Sequence, residues 1–400
     1  MIEAVVRTLE SWTRQIAELG AFTPQEHKDE YLLITEFLYY TEEDSFSMAL
    51  RTCRDYSLKE SMDPNVLKEL INATLKPVNE IMTMTQIDHR TIIALSSVKG
   101  VGPVKLRKMI SQIQDNNVRI ETWEDLYDFL MEYAPTSVKV SDDLAEDAFR
   151  RASRILSESK RLGIGVLTYF DTEYPENLRN TVSEDGKTTP PMILYYMGNL
   201  NALKRPAMAI IGTRHPTAKG VQAGEFISKA VASLGYNIVS GLAIGCDTLG
   251  HKGALDVRGT TTAFLAHGLD TIYPQENEGL AKRIVENGGL LLSEYPIGTT
   301  CNAYRLVERD RLQAGLADAT VVIQTGIKGG TMHAVRATQK AGKGLYAISY
   351  GEPDRSHVNV AGNAMLINQG ATPVYQNSDM NTLFQPKKRI EKQLNLFSDD

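Results

Sequence analysis

Residues 207–247 read AMAIIGTRHPTAKGVQAGEFISKAVASLGYNIVSGLAIGCD. The apolar run Ala207–Ile211 predicts a buried strand that breaks at residues 212–214, and a helical stretch follows. A second apolar run, Asn237–Val239, predicts a second strand, which ends at residues 240–241. The order strand, small turn, helix, strand, small turn is typical of an open parallel sheet, in which ligands bind at the carboxyl ends of the strands.

The two strand ends carry residues suited to an anion. Gly212 lets a phosphate approach the backbone, Thr213 adds a hydroxyl, and Arg214 can grip a phosphate through two hydrogen bonds. Ser240 and Gly241 end the second strand, where the N–H groups of a following helix favour an anion. The sequence therefore predicts a phosphate-binding edge, although Arg214 in a surface ion pair and Ser240 as a plain helix cap are the simpler alternatives.

Apolar runs continue to alternate with helical stretches up to about residue 376. They read TTAFLA, LLLSEY, ATVVIQT, GLYAIS and TPVYQ. Because these runs are almost continuously apolar, they predict strands that are covered on both faces. The predicted fold is α/β: a Rossmann-like, mostly parallel sheet with helices on both faces.

Five motifs in this part occur in the order found in a known family. They are VSGLAIGCDTLGHKGAL (239–255), GTTTAFLAHGLDTIYPQENEGLAKRI (259–284), GGLLLSEYPIGT (288–299), RDRLQAGLADATVVIQT (309–325) and GGTMHAVRATQKAGKGLYAI (329–348). Residues 164–374 thereby resemble the DprA/Smf family of DNA-processing proteins. The resemblance implies binding of single-stranded DNA without catalysis, protection of strands, handover to a RecA-type recombinase, and a homodimer.

More candidate phosphate ligands follow along the chain. Arg309 and Arg311 flank Asp310 ahead of an apolar helix, and spacing by two in a loop or strand would put both arginines on one side. In the resembled family an arginine pair flanks an asparagine here, beside the nucleic-acid pocket. Two further candidates for the same edge are Lys219 and the predicted helix N-terminus at Gly329, Gly330 and Thr331.

Asp247 and His251 lie four residues apart, which places them on one face of a helix. An acid–base pair or half of a metal site would use such spacing, but a metal needs further ligands that no nearby cysteine or histidine supplies. An Asp–His hydrogen bond that fixes the loop is the preferred interpretation, and the resemblance also implies a structural role. Glu294 ends another strand without a paired carboxylate. No catalytic residue, metal or cofactor is predicted.

The chain departs from the family pattern at three places. Ile244 stands where the family often has a basic residue, Leu306-Val307 replace Phe-Pro, and Lys328 precedes Gly-Gly-Thr in place of a Ser-Gly-Ser loop. The Gly-Gly-Thr form also resembles nucleotide-binding proteins with a similar sheet. The alternative function is therefore a sensor that binds or hydrolyses a nucleotide in phage defence or signalling. No GxxxxGK[ST] loop supports an ATPase.

The predicted domains are a helical N-terminal region (1–85), a helix-hairpin-helix element with bridging helices (86–163), the Rossmann-like domain (164–376) and a disordered tail (377–400). In the second region, Gly100 and Gly102 separate two helical stretches, and the second stretch carries Lys105, Arg107 and Lys108. This pattern is typical either of a turn that contacts DNA phosphates or of a plain helical hairpin with a solvated basic face.

The tail contains a further motif. Gln393, Leu394, Asn395, Leu396 and Phe397 resemble the peptide by which bacterial proteins bind the replication sliding clamp. An apolar patch in a polar tail has no core to join, so it suits the groove of a partner. The alternative is a short amphipathic end that docks on its own domain.

Composition limits the possible functions further. The 400 residues carry a net charge of −6, with 42% hydrophobic and 23% charged residues, as in a soluble globular protein. The acidic balance argues against a generally cationic nucleic-acid binder and confines any binding to a local patch. Three scattered cysteines suit a reducing cytoplasm, and no apolar run reaches the length that spans a bilayer.

Overall fold

The computed structural model describes residues 2–40, 45–59, 63–85 and 87–384. The chain divides into two compact units, Met1–Ile87 with Ile113–Val118, and Asp88–Gln112 with Arg119–Asp400. No helix within these described ranges is both long enough and apolar enough to cross a membrane. The division into four domains expected from the sequence stays a prediction.

The first unit is helical, as its sequence predicts. Its helices are α1 (Ile2–Leu19), α2 (Lys28–Tyr40), α3 (Ser45–Ser57) and α4 (Pro64–Thr85). In α1, Val5, Leu9, Trp12 and Ile16 recur every three to four residues and are all buried, so they form the stripe that holds the helix on the core. The Trp12 ring lies 5.0 Å from that of Phe22, which anchors the loop after α1.

Four helices precede the sheet in sequence: α5 (His89–Ser97), α6 (Pro103–Asp115), α7 (Trp123–Tyr133) and α8 (Asp142–Arg161). Side-chain caps fix several of their starts. Asp88 caps α5, Ser141 caps α8, and Thr122 with Asp125 forms a reciprocal capping box at α7.

The predicted glycine turn joins α5 to α6. Gly100 has φ of +93°, a conformation that side chains with a Cβ rarely adopt. Lys105 Nζ donates hydrogen bonds to Gly100 O at 2.8 Å and to Ser137 Oγ at 2.9 Å, so this lysine braces the turn. The Arg107 guanidinium lies over the Tyr169 ring, 5.7 Å from its centroid. Contact of this turn with DNA stays a prediction.

The strands and the remaining helices alternate from residue 165 onward. The strands are β1 (Gly165–Thr168), β2 (Ile193–Gly198), β3 (Ala207–Ile211), β4 (Asn237–Ser240), β5 (Thr261–Leu265), β6 (Leu290–Ser293), β7 (Ala319–Val322), β8 (Gly344–Ile348) and β9 (Thr372–Val374). The helices are α9 (Glu176–Arg179), α10 (Ala218–Ser233), α11 (Cys246–Asp256), α12 (Glu278–Glu286), α13 (Ala303–Leu316), α14 (Thr331–Lys340), α15 (Ala361–Asn368) and α16 (Met380–Leu383).

Among the described residues, these strands form one sheet in the order β1-β2-β6-β5-β4-β3-β7-β8-β9. The pairs β1–β2 and β2–β6 are antiparallel, and the other pairs are parallel, which confirms the mostly parallel α/β fold. From β3 the chain adds β4, β5 and β6 on one side, and it then returns to place β7 on the other side of β3. Such a reversal opens a crevice at the carboxyl ends of the strands.

Both faces of the central strands are covered, because alternate residues of a strand point to opposite faces. Met208 and Ile210 of β3 belong to a buried cluster that includes Ile227 and Val231 of α10. Ile211, on the other face, belongs to a cluster with residues of α14 and α15. The nearly continuous apolar runs in the sequence follow from this double burial.

Two features lie at the ends of these later elements. Lys343 Nζ donates to the carbonyl oxygens of Ala314, Gly315 and Ala317 at 2.6–2.9 Å, and so caps the carboxyl end of α13. Helix α16 falls inside the predicted disordered tail, and Phe384 after it is buried, with its ring 4.9 Å from that of Tyr346. For residues 380–384 the prediction of disorder is therefore wrong.

Candidate functional site

A cleft of about 950 Å³ opens at the carboxyl ends of β3 and β7, where the strand order reverses. Three segments line it: the turn after β3, the loop after β7, and one face of α13. The loop at residues 358–361 closes another side. The predicted edge of the sheet is thus the edge that carries the cleft.

The turn after β3 is clamped to its neighbours. The Thr213 N–H donates to Gln324 O at 2.7 Å, and Thr213 O accepts from Cys246 N at 3.1 Å. Gly212 has no room for a side chain, because a Cβ there would lie 2.6 Å from Cys246 Sγ. This rigid turn presents the exposed Arg214 side chain to the cleft.

The loop after β7 lines the same cleft. Gly329, with φ of +142°, and Gly330 lead into α14 at Thr331, and the Met332 and His333 N–H groups of its first turn donate to Gly329 O at 3.1 Å and Gly330 O at 2.9 Å. The exposed Lys328 stands beside them. Within the part of the chain that the structure describes, neither Lys328 nor Arg214 forms an ion pair, so both charges are available to a ligand.

The turn after β4 is occupied by the protein itself. Ser240 is fully buried, and its Oγ donates to Ile210 O at 2.6 Å. The Gly241 N–H donates to Asp247 Oδ2 at 3.1 Å. A Cβ on Gly241 would lie 2.1 Å from Arg309 Nη1, so this glycine admits a guanidinium to close contact. Neither Ser240 nor Gly241 lines the cleft.

Asp247 and His251 hold that turn separately, and the predicted hydrogen bond between them is wrong. Asp247 Oδ2 also accepts from Ala243 N at 3.3 Å, while His251 Nε2 accepts from Leu242 N at 3.3 Å. Leu242 has φ of +59°, an unusual conformation for leucine, which these bonds support. Burial lowers the pKa of His251 to about 3, so the ring is neutral and its Nδ1–H donates to Thr261 Oγ1 at 2.7 Å.

The two arginines of the predicted pair point in different directions. Both lie inside α13, which begins early because Asn302 caps it with a hydrogen bond from Arg305 N, at 2.9 Å. Residues two apart on a helix are about 200° apart around its axis. The prediction of a loop or strand with both arginines on one side is therefore wrong.

Each of these arginines has a partner within the protein. Arg309 is 4% exposed, and its Nη1 donates to Gly241 O and Phe264 O while its Nε lies 3.1 Å from Asp310 Oδ1. Arg311 forms a two-bond ion pair with Glu294, with both distances 2.9 Å, and does not line the cleft. Arg309 is thus the only one of the two at the cleft, and it lies beneath the surface.

The sheet, its helices and this cleft lie within a stretch that matches a known family. Residues 165–385, more than half of the chain, match the family model of DNA recombination-mediator protein A. The chain belongs to the DprA/Smf family.

Relatives found by sequence agree with this assignment. Protein Smf of Synechocystis is 31% identical over 72% of this chain and 70% of that protein, and DNA processing protein DprA of Bacillus subtilis is 30% identical over 59% and 76%. The X-ray structure of DprA from Streptococcus pneumoniae covers 72% of this chain and 95% of that chain at 25% identity, with a TM-score of 0.58. DprA of Helicobacter pylori, whose single-stranded DNA binding mode has been studied structurally, covers 55% of this chain at 28% identity, with a TM-score of 0.47.

The remaining predicted site residue, Lys219, lies on α10 outside the cleft lining of this DprA/Smf protein. Its Nζ is 2.5 Å from Asp354 Oδ2, and this ion pair ties α10 to the loop before α15. The predicted residues that do line the cleft are Gly212, Thr213, Arg214, Asp247, Arg309, Gly329, Gly330 and Thr331. The predicted clamp peptide, residues 393–397, lies outside the described residues.

Sequence reasoning missed the floor and the apolar walls of the cleft. Gln313 lies on α13 one turn after Asp310, and its Nε2 donates to Asp310 Oδ1 at 3.1 Å. Burial raises the pKa of Asp310 to about 6. Ile327 and Val358, on two separate loops, add exposed apolar surface at the walls. The amphipathic spacing of α13 was the one signal that could have located Gln313, whereas the loop residues follow no motif.

Across the described ranges, no group of three or more histidine, cysteine or acidic side chains is arranged to hold a metal ion. The two carboxylates at the cleft, Asp247 and Asp310, both accept hydrogen bonds from groups of the protein. The exposed Arg214 and Lys328, here called the mouth of the cleft, can therefore hold an anionic chain. The less exposed Asp310 and Gln313, here called its floor, can hold an apolar or hydrogen-bonding group.

Proposed function

We propose that this DprA/Smf protein binds single-stranded DNA in the cleft between β3 and β7 and does not transform it chemically. The observation that carries the proposal is that Arg214 and Lys328 both line the cleft and form no ion pair with any residue that the structure describes. Each stands beside a glycine turn that allows close approach to the backbone. A protein with a net charge of −6 that keeps two free cations in one cleft provides a local site for phosphates.

The apolar walls favour a single strand over a duplex. Ile327 is 57% exposed and Val358 is 74% exposed, and both line the cleft. Unpaired bases offer flat apolar faces to such surfaces, whereas a duplex stacks its bases against each other. Phosphates held at the mouth by the two cations would direct the bases toward these walls.

A non-catalytic role fits the side chains of the cleft. Among the described residues that line it, no histidine stands ready as a base. The Asp247 carboxylate is committed to two backbone N–H groups, and Thr213 Oγ1 accepts from His215 N at 3.2 Å. We propose that the protein acts in the cytoplasm as a homodimer. It would bind the strand and then transfer it to a RecA-type recombinase.

The experiment is titration of fluorescently labelled oligothymidylate over a salt series. Arg214→Ala and Lys328→Ala should each weaken binding about 10- to 150-fold, because each removes a charge-assisted contact of about 1.5–3 kcal/mol. The slope of log affinity against log salt should fall by about 0.7 for each lost phosphate contact. Lys282→Ala, on the exposed face of α12, is the matched control and should bind like the wild type.

Two results would reject the proposal. One is unchanged affinity of both cleft variants when their melting temperatures equal that of the wild type. The other is tight binding of a mononucleotide that oligonucleotides do not displace, which would establish the nucleotide sensor instead.

We also propose that residues 393–397 bind the sliding clamp. Replacing Leu396 and Phe397 with alanine should abolish capture by purified clamp, because apolar anchors supply most of the affinity of a short peptide. Affinity for single-stranded DNA should not change, since the cleft is formed by other residues. A double variant that still binds the clamp would contradict this assignment.

A further inference from the structure

The cleft has opposite polarity at its mouth and at its floor. Arg214 and Lys328 are exposed at the mouth, while the carboxylate of Asp310 lies on α13 with 16% of its side chain exposed. Arg309 Nε, 3.1 Å away, pairs with Asp310 Oδ1, while Oδ2 stays an acceptor that a phosphate, itself an acceptor, cannot use. The floor is therefore built for a different part of the strand.

Asp310 is only half satisfied by its neighbours. Its Oδ1 accepts from Arg309 Nε and from Gln313 Nε2, each at 3.1 Å. Within the described part of the chain, no group donates to Asp310 Oδ2. The remaining hydrogen bonds of the Arg309 guanidinium go to the carbonyl oxygens of Gly241 and Phe264, so this arginine cannot turn to cover the second oxygen.

Gln313 shows the same shortage of donors. It is 2% exposed and lines the cleft, and its Oε1 has no hydrogen-bond partner. The orientation of the amide is fixed, because its NH₂ group faces the Asp310 carboxylate, which accepts. Two acceptors without donors thus lie at the floor of a cleft whose walls are apolar.

The chemical group that fits such a floor is a base edge with adjacent N–H donors. Guanine presents N1–H and the N2 amino group side by side, and the two lone pairs of Asp310 Oδ2 can accept from both. Thymine presents a single N–H between two carbonyl oxygens, and a carboxylate repels these. The walls at Leu306, Val307 and Ile327 supply apolar contact for the base plane.

We propose that Asp310 accepts the N–H donors of a guanine base at the cleft floor, with Gln313 as a positioning residue. Gln313 holds Oδ1, which orients the carboxylate and leaves Oδ2 for the base. The inference rests on the proposed binding of single-stranded DNA in this cleft. It adds base preference to a site whose mouth recognises only the backbone.

The test compares strands that differ in the type of base at alternate positions. A labelled twelve-residue oligothymidylate is measured beside strands in which alternate thymines are replaced by guanine, or by hypoxanthine, which keeps N1–H but lacks the N2 amino group. The wild type should bind the guanine strand about 5- to 150-fold tighter than oligothymidylate, as for other paired base contacts. The hypoxanthine strand should lie between them.

Variants separate base contact from folding. Asp310→Asn should reduce the guanine preference to within about twofold while binding oligothymidylate at least as tightly as the wild type, because a negative charge is removed. Gln313→Met should also reduce the preference, whereas a purely structural role would weaken both strands equally. Melting temperatures of both variants are measured in parallel.

The outcomes distinguish this inference from the function on which it rests. Equal wild-type affinity for the three strands, together with lost binding in Arg214→Ala, would overturn the guanine site and leave the strand-binding cleft in place. A guanine preference that survives in Asp310→Asn would also overturn it. Unchanged binding in Arg214→Ala would instead remove the proposed function.

Discussion

The sequence and the structure indicate opposite roles for Arg309. The sequence places it among the DNA contacts, whereas the structure buries it beneath the cleft with three partners in the protein. Arg309→Met keeps much of the side-chain volume and removes every donor. The substitution leaves the carbonyl oxygens of Gly241 and Phe264 without this donor, and it leaves the Asp310 carboxylate without its cation.

The expected loss of stability follows from those groups. A buried acceptor that loses its donor costs about 1–3 kcal/mol, and breaking a buried ion pair costs about 3–5 kcal/mol. Because the same arginine serves all three partners, these values overlap, and we expect about 3–5 kcal/mol in total. For a unit of this size that corresponds to a melting temperature lower by roughly 6–20 °C.

Thermal unfolding at pH 7, followed by circular dichroism, measures the change. Arg214→Met is the control, since that side chain is exposed and forms no ion pair with a described residue, and its melting temperature should stay within about 2 °C of the wild type. Gly241→Ala places a Cβ 2.1 Å from Arg309 Nη1 and should destabilise the same contact. The effects of Gly241→Ala and Arg309→Met should be less than additive, because both disturb one contact.

The reasoning is refuted if Arg309→Met melts like the wild type and loses only its affinity for DNA. Arg309 would then contact the strand directly, as the sequence pattern predicts.

Three further predictions concern pH and stability. His251 has a pKa of about 3 in the folded protein and about 6.5 in the unfolded chain, so its contribution to the free energy of unfolding is complete above pH 6.5. As the pH falls below 6.5, this contribution decreases by about 1.4 kcal/mol per pH unit. His251→Gln should therefore reduce the dependence of the free energy of unfolding on pH, measured by urea unfolding between pH 7 and 5. Gly198→Ala should cost about 2–4 kcal/mol, since its Cβ would lie 2.3 Å from Gly289 O, whereas Gly186→Ala, with positive φ but open space, should cost about 1 kcal/mol in the same assay. Lys343→Met should lower the free energy of unfolding by about 1–3 kcal/mol through loss of the α13 cap, and equal stability would show that water replaces the ammonium group.

The strands were the most predictable part of the chain, because burial on both faces leaves a direct trace in composition. The run Ala207–Ile211 is the strand β3, and the run that begins at Asn237 is β4. The N-terminal helices also follow their apolar spacing. The family motifs indicated the same Rossmann-like sheet.

The internal contacts of the site could not be predicted in the same way. Arg309 meets Gly241 and Phe264, which are 68 and 45 positions away, and no local spacing encodes those meetings. An arginine that binds a phosphate and one that binds carbonyl oxygens look identical in sequence. The start of α13 at its Asn302 cap decided the direction of the arginine pair, and a shift of a few residues in a predicted boundary reverses that result.

The place of β7 beside β3 also has a consequence for the time at which the cleft forms during synthesis. Thr217 N donates to Gln324 Oε1 at 2.9 Å, and these two residues are 107 positions apart in the chain. At about 5–20 residues per second, a ribosome needs roughly 5–20 s to make that stretch. Throughout this interval β3, which is apolar along its length, has an edge that awaits β7, and such an edge can pair with another chain. The cleft is therefore completed late, and the nascent protein depends on the same event to cover this apolar edge.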